Sequence, residues 1–103
     1  MGEGAGILVL GTEDSAIQRG ATILAELRGG ASTADAHHIT APHPKGEGAE
    51  RAIRLALVDA GIAPEEVTYV NAHGTGTGLN DRTEGGVIDR VFDEQPAVSS
   101  IKG

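Results

Sequence analysis

The chain of 103 residues contains no cysteine and no tryptophan, and only one tyrosine and one phenylalanine. Without thiols there is no disulfide, no thiolate metal site and no cysteine nucleophile within these residues. With aromatics at 2%, a core has to be built from Ala, Val, Leu and Ile, which bury less area per side chain. The sequence has no apolar run long enough for a bilayer span and no charged-then-apolar leader, so it reads as soluble and cytoplasmic. Basic clusters are missing as well. A net charge of −7, spread along the chain, argues against nucleic acid or an anionic membrane as partner.

Glycine is what the chain has in excess, 16 of 103 residues against a usual share of about 7%. It falls in short clusters without a repeat, as turns and close backbone approaches would require. Between the clusters the elements alternate. "GAGILVL" (4–10) reads as a buried strand. "TEDSAIQRG" (12–20) places acidic residues first, then Arg19 and a stop glycine, the charge order of a short helix. "ATILAELRG" (21–29) suits a strand or a helix. Residues 30–48, with two prolines and no periodicity, form a long loop, and such loops in small domains are usually functional or disordered.

The clearest helix is "GAERAIRLALVDAGI", where Ala49, Ala52, Ile53, Ala56, Leu57 and Ala60 recur at helical spacing before Gly61. "PEEVTYVNA" turns into a strand ending near Ala72. "NDRTEGGVIDRVF" suggests a second helix, with Asn80 or Asp81 as N-cap, Glu84 completing a near capping box, and Val87, Ile88, Val91 and Phe92 as its apolar stripe. "AVSSI" (97–101) closes the series as a strand. The order β-α-β-loop-α-β-α-β points to a layered α/β sheet.

His73 then stands just past a strand, at the end where ligands gather in α/β sheets, and opens the Gly-rich run "HGTGTG". The glycines allow close backbone approach, and Thr75 and Thr77 add hydroxyls. A neutral imidazole there can donate to an oxygen that becomes anionic; a capped turn with a satisfied histidine accounts for the same residues. "GTGTG" lacks the glycine order and the lysine of phosphate-binding loops. His37, His38 and His43 lack metal-ligand spacing, so no metal site is expected. Asp81 and Glu84 are explained as caps, and Lys102 as a surface lysine near the end of the chain.

Taken together, "GEGAGILVL", "RGATILAEL", "DAHHIT", "YVNAHGTGT", "ND" with a later Glu, and "SSIKG" resemble the β-ketoacyl-acyl carrier protein synthases, over nearly all of the chain. "NAHGTGT" is the most specific of these motifs, and "VNAHGTGT" with "ND" is more similar to the stand-alone enzymes of fatty-acid synthesis than to modular polyketide ketosynthases. The resemblance implies part of a thiolase-like fold, two α/β halves in an αβαβα arrangement. Residues 1–29 would end the first half and 30–103 begin the second. It implies decarboxylative Claisen condensation of malonyl-acyl carrier protein with an enzyme-bound acyl thioester. His73 would match the first of two histidines that stabilise the enolate, Lys102 the active-site lysine, and Glu84 the buried carboxylate associated with that lysine. Thr75 and Thr77 would bind the phosphopantetheine arm, with His38 and Thr40 at the pocket mouth.

By the same resemblance the nucleophilic cysteine lies before residue 1 and the second histidine after Gly103, so the segment alone is expected to be inactive. No cofactor is implied beyond the phosphopantetheine arm of acyl carrier protein. The implied partners are acyl carrier protein and a second copy of the parent. A non-catalytic chain-length-factor-like subunit and a polyketide ketosynthase are the alternative readings. Gly78 departs from the family, where proline is common at this place.

Overall fold

A computed structural model describes residues 3–102. Three α-helices form: α1 (Glu13–Gln18), α2 (Glu47–Ala60) and α3 (Gly78–Val91). Two short strands, β1 (Tyr69–Asn71) and β2 (Ala97–Ser99), pair in parallel with Val70 opposite Val98. β1, α3 and β2 thus make one βαβ unit, and both strands deliver their following loops to the same edge of the sheet.

The core lies on α3. Val87, Ile88, Val91 and Phe92 are buried, as their helical spacing anticipates, and Ile53 and Leu57 of α2 and Val67 and Val70 around β1 pack against them. A polar clamp runs along the same interface. Glu50 on α2 accepts from Arg54 one turn on and from Arg90 on α3, both at 2.9 Å. The bond from Arg90, then that from Arg54, holds the Glu50 carboxyl below its ordinary range. α2 ends as its sequence implies, on Gly61 in the left-handed conformation at φ 65°. α1 is capped by the Thr12 hydroxyl, which accepts from the Ser15 N–H at 3.3 Å.

Two expected strands do not form. Residues 4–10 and 21–29 run without regular structure, and Ile7, Leu8, Val9 and Leu24 are at least 85% exposed. A strand exists only through a neighbour's N–H and C=O groups, and among the described residues no strand lies beside either segment. The second correction concerns α3. It begins at Gly78, with Thr77 as N-cap, rather than after Asn80 or Asp81. Asn80 and Asp81 therefore sit inside the first turn, and the glycine-rich loop runs straight into the helix. No helix among the described residues is long and apolar enough to cross a membrane.

Candidate active site

The loop leaving β1 begins at His73, and its backbone is held from both sides. The Glu84 carboxylate, on α3, accepts from the N–H of His73 at 2.7 Å and of Gly74 at 2.9 Å. The Asn80 amide donates to the same carboxylate at 3.2 Å. Burial pushes the Glu84 carboxyl up, but the bonds from Gly74, His73 and Asn80 outweigh it, and the group lies below its ordinary value. On the other side the loop leaving β2 supplies the donors. Lys102 Nζ lies 2.8 Å from the His73 carbonyl oxygen and 3.0 Å from His73 Nδ1. The Ser100 hydroxyl contacts the carbonyls of His73 at 3.3 Å and Gly74 at 3.2 Å.

This arrangement sets the state of the ring. An ammonium group carries donors only, so Nδ1 accepts from it and the ring proton of a neutral His73 resides on Nε2. With the backbone N–H and C=O of His73 both engaged, Nε2–H is the polar group this residue has left to offer. His73 is exposed and lines an open cleft together with Thr75, Thr77, His38 and Thr40. The two threonine hydroxyls face each other at 2.9 Å. Thr77 makes no side-chain capping bond to its own helix, and its hydroxyl pairs with that of Thr75 instead. His38 is fixed in the same way as His73: its Nδ1 accepts from the N–H groups of Thr40 and Ala41, each at 3.2 Å.

The family described as "Beta-ketoacyl synthase, C-terminal domain" matches residues 24–103. The chain belongs to the β-ketoacyl synthase family. It is 54% identical over 94 residues to 3-oxoacyl-(acyl-carrier-protein) synthase 2 of Staphylococcus aureus, covering 91% of this chain and 23% of that protein. A solved type II polyketide ketosynthase, in complex with its acyl-carrier protein, is 40% identical with a TM-score of 0.83, over 88% of this chain and 23% of the other. The ketosynthase of Xenorhabdus doucetiae, in complex with its chain length factor, is 51% identical with a TM-score of 0.69, over 72% of this chain and 18% of the other. The chain thus spans about a quarter or less of the length of these relatives. Its fold is part of the thiolase-like α/β fold of the ketosynthases.

Within this ketoacyl synthase segment, five residues singled out from the sequence, His38, Thr40, His73, Thr75 and Thr77, line one cleft, and Lys102 reaches His73. Glu84 engages the His73 loop. It does not pair with Lys102, which is exposed and makes none of the ion pairs among the described residues. Its carboxylate is taken up by the backbone of His73 and Gly74, to which α3 carries it once the helix starts at Gly78. His37 and His43 meet edge to face, with ring centroids 4.8 Å apart, and no group of three metal-ligating side chains gathers among the described residues.

Ser100 is the residue that the sequence did not disclose. Its signal is topological: parallel strands place the residues just after β1 and just after β2 side by side. Gly74 reflects the same proximity. At φ 45° it occupies a conformation that L side chains rarely adopt, and a Cβ there would lie 2.5 Å from Ser100 Cβ.

Proposed function

We propose that this chain carries part of the active site of a β-ketoacyl synthase, an acyltransferase that lengthens acyl chains. In that reaction the bond between the malonyl methylene and its carboxylate breaks, CO₂ departs, and the electron pair passes onto the thioester as an enolate. The enolate carbon then attacks a second acyl thioester and expels the thiolate that held it. His73 serves the first step: its Nε2–H donates to the thioester oxygen as that oxygen becomes anionic. Lys102 holds the ring, Glu84 holds the loop, Thr75 and Thr77 receive the phosphopantetheine arm, and His38 and Thr40 contact the substrate at the mouth.

The observation that carries this reading is the engagement of His73 Nδ1 by Lys102 at 3.0 Å, which leaves Nε2–H free on a residue that lines one cleft with both threonines. The chain contains no cysteine, so the acyl-carrying nucleophile comes from outside these residues, and the segment alone is inactive. On this reading residues 1–29 close the first thiolase-like half and 30–103 open the second. The intact protein works as a homodimer in the cytoplasm, receives its substrates from acyl carrier protein, and needs no metal or further cofactor. The test is decarboxylation of malonyl-acyl carrier protein by the intact protein. His73→Ala should abolish it, and retained decarboxylation overturns the assignment.

A further inference from the structure

We infer that Ser100 is a positioning residue that fixes the tautomer of His73 by holding Lys102 and the His73 loop in register. Resting on the active-site reading above, the argument begins with the sheet. β1 and β2 pair through Ser99, whose carbonyl accepts from the Ala72 N–H at 2.8 Å. One residue beyond that last rung, both chains leave the sheet and would be free to part. At this point the Ser100 hydroxyl contacts the carbonyls of His73 and Gly74 and accepts from the backbone N–H of Lys102 at 3.2 Å. A single oxygen therefore touches the histidine loop twice and the lysine once.

The consequence falls on the lysine side chain. Its stem is long and flexible, and holding the ammonium in one place costs conformational freedom. Lys102 is exposed and has no carboxylate to anchor it among the described residues. What brings Nζ to Nδ1 is the course of residues 100–102 over the His73 backbone, and Ser100 sets that course. The hydroxyl can act in this way only because position 74 has no side chain: the space that a Cβ would occupy is taken by Ser100 Cβ and Oγ, at 2.5 and 2.7 Å. Ser100 touches no cleft surface itself, and its effect passes through Lys102 to the ring.

The experiment uses the intact protein labelled with ¹⁵N-histidine, with wild type, Ser100→Ala and Lys102→Met compared. In the wild type the ring spectrum of His73 should show one tautomer, with the proton on Nε2. In Ser100→Ala that signature should give way to a mixture of tautomers. In the same variant kcat for decarboxylation of malonyl-pantetheine should fall roughly 10- to 100-fold, with KM changed by no more than about twofold. An unchanged kcat, or a single Nε2–H tautomer in Ser100→Ala, overturns the inference. Should that variant fail to fold, Lys102→Met decides. Loss of the single tautomer supports the link through the lysine, and its persistence overturns it. If the protein decarboxylates no malonyl thioester at all, the active-site reading fails, while the tautomer spectra still decide the role of Ser100.

Discussion

Lys102 Nζ lies 3.0 Å from Nδ1 of His73 and 2.8 Å from the carbonyl oxygen of the same residue. One cation thereby grips both a side chain and its own backbone, so the ring can neither rotate nor change tautomer without releasing a bond. Replacing Lys102 with Met keeps the length of the stem and removes the grip. In the intact protein we expect kcat for malonyl decarboxylation to fall by about 100-fold, as misplacement of a reacting group does. On the proposed reading Thr75 and Thr77, not Lys102, receive the substrate arm, so KM should hold. Steady-state kinetics with malonyl-acyl carrier protein separate the two, and a variant that raises KM alone would move Lys102 from ring control to substrate binding.

Glu84 gives a prediction about stability and pH. Its carboxylate satisfies two backbone N–H groups that have no other partner among the described residues. Glu84→Ala should cost about 1 kcal/mol, the low end for orphaned donors because His73 is exposed and water can reach it. The folded group titrates below the ordinary glutamate value of 4.5. A depressed folded value contributes stability that is fully present above the unfolded value and is lost as pH falls through the folded one. The gap in melting temperature between wild type and Glu84→Gln should therefore be widest at neutral pH and close on acidification below 4.5. A gap independent of pH would mean that the carboxylate charge is not what the loop uses.

Gly74→Ala should be more damaging than an ordinary loop substitution. The new Cβ would lie 2.5 Å from Ser100 Cβ, and φ is 45°, so neither local rearrangement nor a rotamer change relieves it. We expect a loss of about 1 to 3 kcal/mol, typical of such backbone strain. Decarboxylation should fall with it, because the two loops must separate. A urea melt and an activity assay on the same preparation check both. Gly76 is the control: it is also left-handed, at φ 73°, yet nothing lies within 4 Å of a Cβ there. Gly76→Ala therefore carries the strain without the clash, and should leave the loops together.

How much of this was legible in the sequence depends on how far apart the cooperating residues lie. The stripes of α2 and α3 are local periodicities, and Val87, Ile88, Val91 and Phe92 are buried as their spacing implies. His73, Thr75 and Thr77 are neighbours in the chain, so one Gly-rich loop after a strand announces them together. Residues 4–10 and 21–29 misled because an apolar run has the composition of a strand whether or not a partner lies beside it. Asp81 and Glu84 misled for another reason. Their spacing imitates a capping box, while the helix starts earlier and points Glu84 at the His73 loop. Lys102 entered the candidate site only by family resemblance, which associated it with Glu84; its meeting with His73, across 29 residues, and the part of Ser100 came only from the folded strands.

The start of α3 supplies the last prediction. Gly78 is the first helical residue, and Thr77 before it is the N-cap in an extended conformation at φ −105° and ψ 133°. The first helical position is where proline is most at home, since its fixed φ suits the helix and the N–H it lacks has no intrahelical acceptor. The extended Thr77 is likewise the conformation that a following proline demands. Nothing lies within 4 Å of a Cβ built on Gly78, so a Cβ at this position meets no clash. Gly78→Pro should therefore stabilise the fold by about 0.4 to 1 kcal/mol, chiefly by restricting the unfolded chain. Thr77 and Thr75 would stay in place, so KM for pantetheine-borne substrate should not rise. A lower melting temperature in Gly78→Pro would show that the loop needs the freedom of glycine, and that the departure from proline at this position serves movement at the cleft.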